Sequence, residues 1–133
     1  MLCLKRVWYR VATPTSGYDD SIVGQTFELD DCIMALIHVE SQDVDRINKL
    51  VRKLVNNVSW LSRKTGINKI ILHSFAHLSE DKGDPECAKK IIETAKHKLE
   101  SKGLDVHVTP FGYILDLEIR IRPDTIARIF KSL

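Results

Sequence analysis

Three stretches of the 133-residue sequence carry side chains whose types and spacing could do chemistry: His73-Ser74-Phe75-Ala76-His77-Leu78-Ser79, Thr109-Pro110-Phe111-Gly112-Tyr113, and the lysines Lys89, Lys90, Lys96, Lys98 and Lys102. Imidazoles titrate near neutrality, so the first stretch is suited to moving or holding a proton. His73 and His77 are four residues apart, a ligand spacing only on a helix, and no glutamate follows His73 as the H-E-x-x-H pattern of a zinc hydrolase demands. No metal is therefore expected. Ser74, Ser79, Asp81 and Asp84 supply the ingredients of a serine triad, but the G-x-S-x-G turn that would expose the nucleophile is absent. The second stretch sets a glycine beside two aromatics at a strand entrance, where the missing Cβ lets backbone approach a ligand. The lysines read first as a solvated helix face and second as an RNA footprint.

The surrounding pattern predicts the elements that hold these residues. Residues 2–11 and 26–39 are rich in Val, Ile, Leu, Phe, Trp and Tyr and flank turn-forming residues 13–20, so both read as strands. Val44, Ile47, Leu50, Val51, Leu54, Val55, Val58 and Leu61 fall on one helical face, which Gly66 ends. Residues 69–75 form a short apolar run that predicts a buried strand, and its carboxyl end delivers the first stretch to where open α/β sheets expose their ligand crevices. Pro85 opens a second helix through Ala88, Ile91, Ile92, Ala95 and Leu99, up to Gly103. Residues 104–108 and 113–121 alternate as strands, with Tyr113, Leu115, Leu117, Ile119 and Ile121 on one face and Asp116, Glu118 and Arg120 on the other. A last helix is expected over residues 124–133, burying Ile126, Ile129 and Phe130. The order ββαβαββα predicts an α/β fold, a mixed β-sheet with helices packed on it, in a single domain spanning residues 1–133.

Composition agrees with one folded core, since 44% of the residues are hydrophobic, 29% are charged, and Gly and Pro number only 6 and 4. Twenty basic against 18 acidic residues give a net charge of +2, which permits contact with RNA but excludes a strongly basic nucleic-acid coat. Cys3, Cys32 and Cys87 form no CxxC pair and are expected as buried thiols, not as a disulfide framework or zinc finger. The longest apolar run, residues 32–37, is far short of the about 20 residues of a membrane span. Lys5 and Arg6 interrupt any secretory leader, so a cytoplasmic protein with no membrane partner is expected.

The motif Phe75-Ala76-His77-Leu78-Ser79, followed some thirty residues later by Pro110-Phe111-Gly112-Tyr113, resembles the archaeal threonyl-tRNA synthetase editing domain. Between them, Leu99-Glu100-Ser101-Lys102-Gly103-Leu104-Asp105-Val106 is similar to the family's "LKxxGxxV" segment, and Ala35-Leu36-Ile37-His38-Val39-Glu40 looks like its second strand. The resemblance covers roughly residues 30–122. It implies a fold similar to D-aminoacyl-tRNA deacylase and an activity that hydrolyses serine from mischarged threonine tRNA, without a cofactor. It implies that His77 is the catalytic residue, orienting the terminal ribose hydroxyl or relaying a proton. Val39, Phe75, Ala76, Pro110, Phe111, Gly112, Tyr113, Ile114 and Leu115 would then bind the aminoacyl-adenosine end of the tRNA. It also implies a homodimer and a threonyl-tRNA synthetase as partner.

Two positions depart from the family pattern. Its tyrosine-tyrosine-lysine run reads Tyr113-Ile114-Leu115 here, and Leu115 neither bears charge nor donates a hydrogen bond. Arg128 falls nearest the place of its acidic residue in the final segment. Asp116 and Glu118 replace neither group unless a bulge near Gly112 slips the strand by one residue. At 133 residues the chain has no room for an ATP-binding aminoacylation domain as well, so it reads as an excised or free-standing editing domain. The alternatives are a catalytically degenerate paralogue kept as an aminoacyl-tRNA-binding or structural module, and a D-aminoacyl-tRNA deacylase.

Overall fold

β1 (Leu2–Pro14) and β2 (Thr26–Ile37) form a long antiparallel hairpin. It is followed by a 3-10 turn over Ser41–Arg46, α1 (Ile47–Thr65), β3 (Lys69–Ser74), α2 (Pro85–Ser101), β4 (Asp105–Val108) and β5 (Tyr113–Ile121). The computed structural model describes residues 1–75 and 83–133. Its five strands make one mixed sheet in the order β4-β3-β2-β1-β5, with β2, β3 and β4 parallel and β1 antiparallel to both of its neighbours. The expected α/β architecture is present, and each expected strand is found within a few residues of its predicted limits.

Both helices lie on one face of the sheet because their apolar stripes and the parallel strands bury each other. Val51, Val55, Val58 and Leu61 of α1 and Ile91, Ile92, Ala95 and Leu99 of α2 share a core with Ile33, Ile70 and Leu72. The α-helix starts at Ile47, not at Val44, because a capping box between Glu40 and Asp43 first winds the tighter turn; the Glu40 amide donates to Asp43 Oδ2 at 2.8 Å. At α2, Asp84 accepts from the Glu86 amide and Pro85 occupies the first turn.

Among the described residues the opposite face has no helix, yet Leu4, Val7, Cys32, Met34 and Ile71 are fully buried there. The hairpin itself covers them. Met34 registers with Ile71, and Ile71 with His107 of β4. In a flat sheet Phe27 would stand about 23 Å further along β2 than Met34. Instead Phe27 stacks on His107 with ring centroids 3.8 Å apart, and the Tyr9 hydroxyl lies 2.8 Å from His107 Nε2. The distal half of the hairpin therefore curls across β3 to reach β4. Three irregularities accompany the bend. β1 gains a residue against β5 between Leu4 and Arg6 and another between Val11 and Thr13, and Asp31 adopts φ +50°.

The helix expected over residues 124–133 is not formed. A 3-10 turn spans Thr125–Ala127 only, after which the chain runs extended, with Arg128 bridged to Leu2. The Met1 ammonium donates to the Ile129 carbonyl at 2.6 Å and the Ile129 amide to the Met1 carbonyl at 2.9 Å. A ten-residue helix is marginal in water, and the edge of β1 beyond the last β5 pair offers this backbone better partners. Ile126 and Ile129 still pack on the core, as expected, but Phe130 is 76% exposed. Cys3, Cys32 and Cys87 are free and buried, and burial pushes the Cys32 thiol up to about 11. Among the described residues no helix is long and apolar enough to cross a membrane.

Candidate active site at the carboxyl ends of the parallel strands

Because β2, β3 and β4 are parallel, their carboxyl ends form one rim, where Ile37 registers with Ser74 and Leu72 with Val108. Phe75 continues from β3, and its amide donates to the Ile37 carbonyl at 2.8 Å. The Gly83 amide donates to the Val39 carbonyl at 2.7 Å. Gly83 lies so close to β2 that a Cβ would stand 2.6 Å from the Glu40 carbonyl oxygen. The chain thus departs from and returns to the end of β2 on either side of residues 76–82. Ala76 and His77, expected at the centre of the site, lie outside the described residues.

The second stretch adjoins the same rim. The Thr109 amide donates to the Leu72 carbonyl at 3.1 Å, and Thr109 Oγ1 is 2.7 Å from His73 Nδ1. Burial lowers the His73 imidazole below its usual value, so at neutral pH it is an uncharged hydrogen-bonding group. Phe111 packs against the helix-side core, and the Lys89 ammonium stands 6.0 Å from the centre of its ring. Gly112 has φ +84°, and a Cβ there would overlap the Tyr18 ring. Its carbonyl accepts from the Thr15 amide at 2.7 Å and from Thr15 Oγ1 at 2.8 Å. The Tyr113 hydroxyl donates to the Asp19 carbonyl at 2.9 Å, and the rings of Tyr18 and Tyr113 meet edge to face at 5.6 Å. Thr15, Tyr18 and Asp19 were not expected here. The turn-forming composition of residues 13–20 marks a loop, but nothing local says what it packs against.

The remaining candidates separate from this group. Val39 lines a cavity of about 340 Å³ between β2, α1 and the C-terminal segment, together with Ala35, Ile37, Leu50, Leu54 and Ile129. At one end of it the Arg46 guanidinium donates to the Leu133 carbonyl at 2.6 Å. None of Phe75 and Pro110, Phe111, Gly112, Tyr113, Ile114 and Leu115 lines it. On β5, Leu115 is half-buried opposite Val11, and Ile114 is 59% exposed opposite Thr13. There is a bulge here, but the extra residue, Ala12, belongs to β1. The alternation of β5 is unbroken, so Asp116 and Glu118 remain exposed on the face away from Leu115. Ile119 is also exposed, because β5 is a sheet edge. Arg128 is engaged in its own turn, donating to the carbonyls of Arg122 at 2.9 Å and Asp124 at 3.3 Å.

Chemically, the described part of the rim offers backbone groups, an uncharged imidazole and aromatic surface. Such an arrangement orients a polar, planar substrate more readily than it supplies a charged nucleophile.

The whole chain, residues 1–133, matches the family model described as the archaea-specific editing domain of threonyl-tRNA synthetase, so the likeness extends through the first 30 residues as well. Similar curated relatives are threonine–tRNA ligases. One from Thermococcus sibiricus is 27% identical over 79% of this chain, and one from Methanocaldococcus jannaschii is 24% identical over 80% of it. The chain spans 17% of the length of each. Among solved structures, the c-Myc DNA unwinding element binding protein superposes with a TM-score of 0.58 at 16% identity, covering 99% of this chain and 96% of that one. This last likeness concerns the fold alone.

Proposed function

Because the chain belongs to the archaea-specific editing-domain family of threonyl-tRNA synthetase, we propose that it hydrolyses the ester of serine mischarged onto threonine tRNA, with the rim of β2, β3 and β4 as its site. The observation that carries this reading is the match of the family model to all 133 residues. The Phe75 amide on the Ile37 carbonyl and the Thr109 amide on the Leu72 carbonyl support it, because they bring the start of each motif stretch to one rim. The need for such an activity is physical. Serine and threonine differ by one methyl group, which a synthetase pocket discriminates by about 1–3 kcal/mol, so a second, hydrolytic site supplies the rest.

In this reading water attacks the ester carbonyl and the tRNA 3′ hydroxyl departs. His77 orients the terminal ribose hydroxyl or relays the proton. Val39, Phe75, Ala76 and residues 110–115 hold the aminoacyl-adenosine end. Leu115 contributes shape only, so backbone groups, the substrate's own hydroxyl and His77 carry the chemistry. The protein acts in the cytoplasm as a homodimer, on the tRNA of a threonyl-tRNA synthetase, and it needs no cofactor.

His77→Ala tests the reading. Serine release should slow by about 10²–10⁴-fold with an unchanged melting temperature. Undiminished release by the folded variant would remove His77 from the chemistry. The second reading, a binding module without catalysis, is favoured by Leu115 and by Arg128, whose guanidinium is taken up by its own turn. A wild-type protein that binds an aminoacyl-adenosine analogue but releases nothing would establish it.

A further inference from the structure

The geometry points to Tyr18 as a positioning residue: the turn between β1 and β2 fixes the conformation in which residues 110–113 meet the substrate. The inference rests on the editing reading above and adds to it a segment far away in sequence. Thr15 and Gly112 are 97 residues apart, yet both donors of Thr15 are spent on the Gly112 carbonyl. That carbonyl is consequently committed to Thr15. The Tyr113 hydroxyl is held by the Asp19 carbonyl, 94 residues away. Between these two anchors the Tyr18 ring fills the space beside Gly112 that any side chain at 112 would need.

Core packing does not account for this ring, since Tyr18 is 43% exposed and belongs to neither buried cluster. The ring lies against Gly112 and Tyr113. Removing it therefore loosens Gly112 and Tyr113 without opening the core. Positioning matters out of proportion to its energy, because a displacement of about 1 Å at a reacting centre costs up to about 10²-fold in rate. The Tyr18 hydroxyl has no hydrogen-bond partner among the described residues, so the ring alone does the positioning.

The experiment compares Tyr18→Ala with Tyr18→Phe. It measures serine release from serine-charged threonine tRNA, and the affinity for a non-hydrolysable amide analogue of seryl-adenosine. Tyr18→Ala should lower kcat by about 10–100-fold and weaken analogue binding at an unchanged melting temperature, and Tyr18→Phe should restore both. Wild-type kcat and analogue affinity in Tyr18→Ala would overturn the inference, as would a Tyr18→Phe variant as impaired as the alanine one. Should Tyr18→Ala fail to fold, Thr15→Val, which removes one of the two bonds to the Gly112 carbonyl, takes its place; wild-type behaviour there overturns the inference equally. A wild-type protein that binds the analogue without releasing serine rejects the editing reading, and the effect of Tyr18→Ala on analogue affinity then decides the inference. If the wild-type protein neither binds nor releases, both fall.

Discussion

On one face of the sheet α1 and α2 cover Ile33, Ile70 and Leu72; on the other, the β1–β2 hairpin folds back over Leu4, Met34 and Ile71, with no helix among the described residues. Both faces exclude water completely at these positions. They differ in what holds the cover in place. The helices are held by broad apolar stripes. The hairpin is held by its own curvature and by a small polar and aromatic clasp at its far end, where Tyr9 and Phe27 close on His107. The first device is redundant, because many side chains share the burial. The second concentrates its specificity in three rings, and the hairpin it bends also ends in the turn that clamps residues 112 and 113.

The comparison can be broken most severely at the core. Leu72→Ala on the helix side and Ile71→Ala on the hairpin side should each cost about 2–5 kcal/mol in urea denaturation. A loss well under 1 kcal/mol at Ile71 would show that the hairpin is a loose cover. At the clasp, Tyr9→Phe removes the hydroxyl that meets His107 Nε2 and should cost about 0.5–1.5 kcal/mol, with helix-side variants unaffected. An unchanged stability would transfer the clasp's role to stacking alone.

The smallest signal is pH dependence. Burial lowers the imidazoles of both His73 and His107, and at His107 the Lys96 charge adds to the effect while Asp105 opposes it. Unfolded histidines take up a proton near pH 6.5, whereas the folded ones stay neutral to lower pH. The unfolded state then binds more protons, so stability should fall as pH drops below about 6.5, levelling once the folded imidazoles protonate too. His107→Phe should flatten the part of this slope that belongs to the clasp. A slope of full size in that variant would assign it to His73 or elsewhere.

How much of this was legible in the sequence follows the same division. The helix side could be read directly, because Val51, Leu54, Val55, Val58 and Leu61 repeat at the helical period and Ile70, Ile71 and Leu72 form a short apolar run after the Gly66 stop. The curl of the hairpin could not. It goes with two extra residues in β1 and one positive φ at Asp31, and none of these has a periodic signature. The C-terminal segment departs from its helical pattern for a related reason. Ile126, Ile129 and Phe130 fit a helical spacing, but the free edge of β1 competes for that backbone and wins. At the site, the end of β3 was recognisable from strand position and motif, while the Thr15–Gly112 and Asp19–Tyr113 contacts join residues more than 90 apart and leave no local trace.

The central claim is that the rim edits misacylated threonine tRNA, and the most direct test is the rate of hydrolysis of serine-charged against threonine-charged threonine tRNA, with a D-aminoacyl-tRNA as third substrate. Rapid release of serine is expected, while threonine stays attached and the D-amino acid is a poor substrate. Preferential release of the D-amino acid, or equal release of serine and threonine, would contradict it.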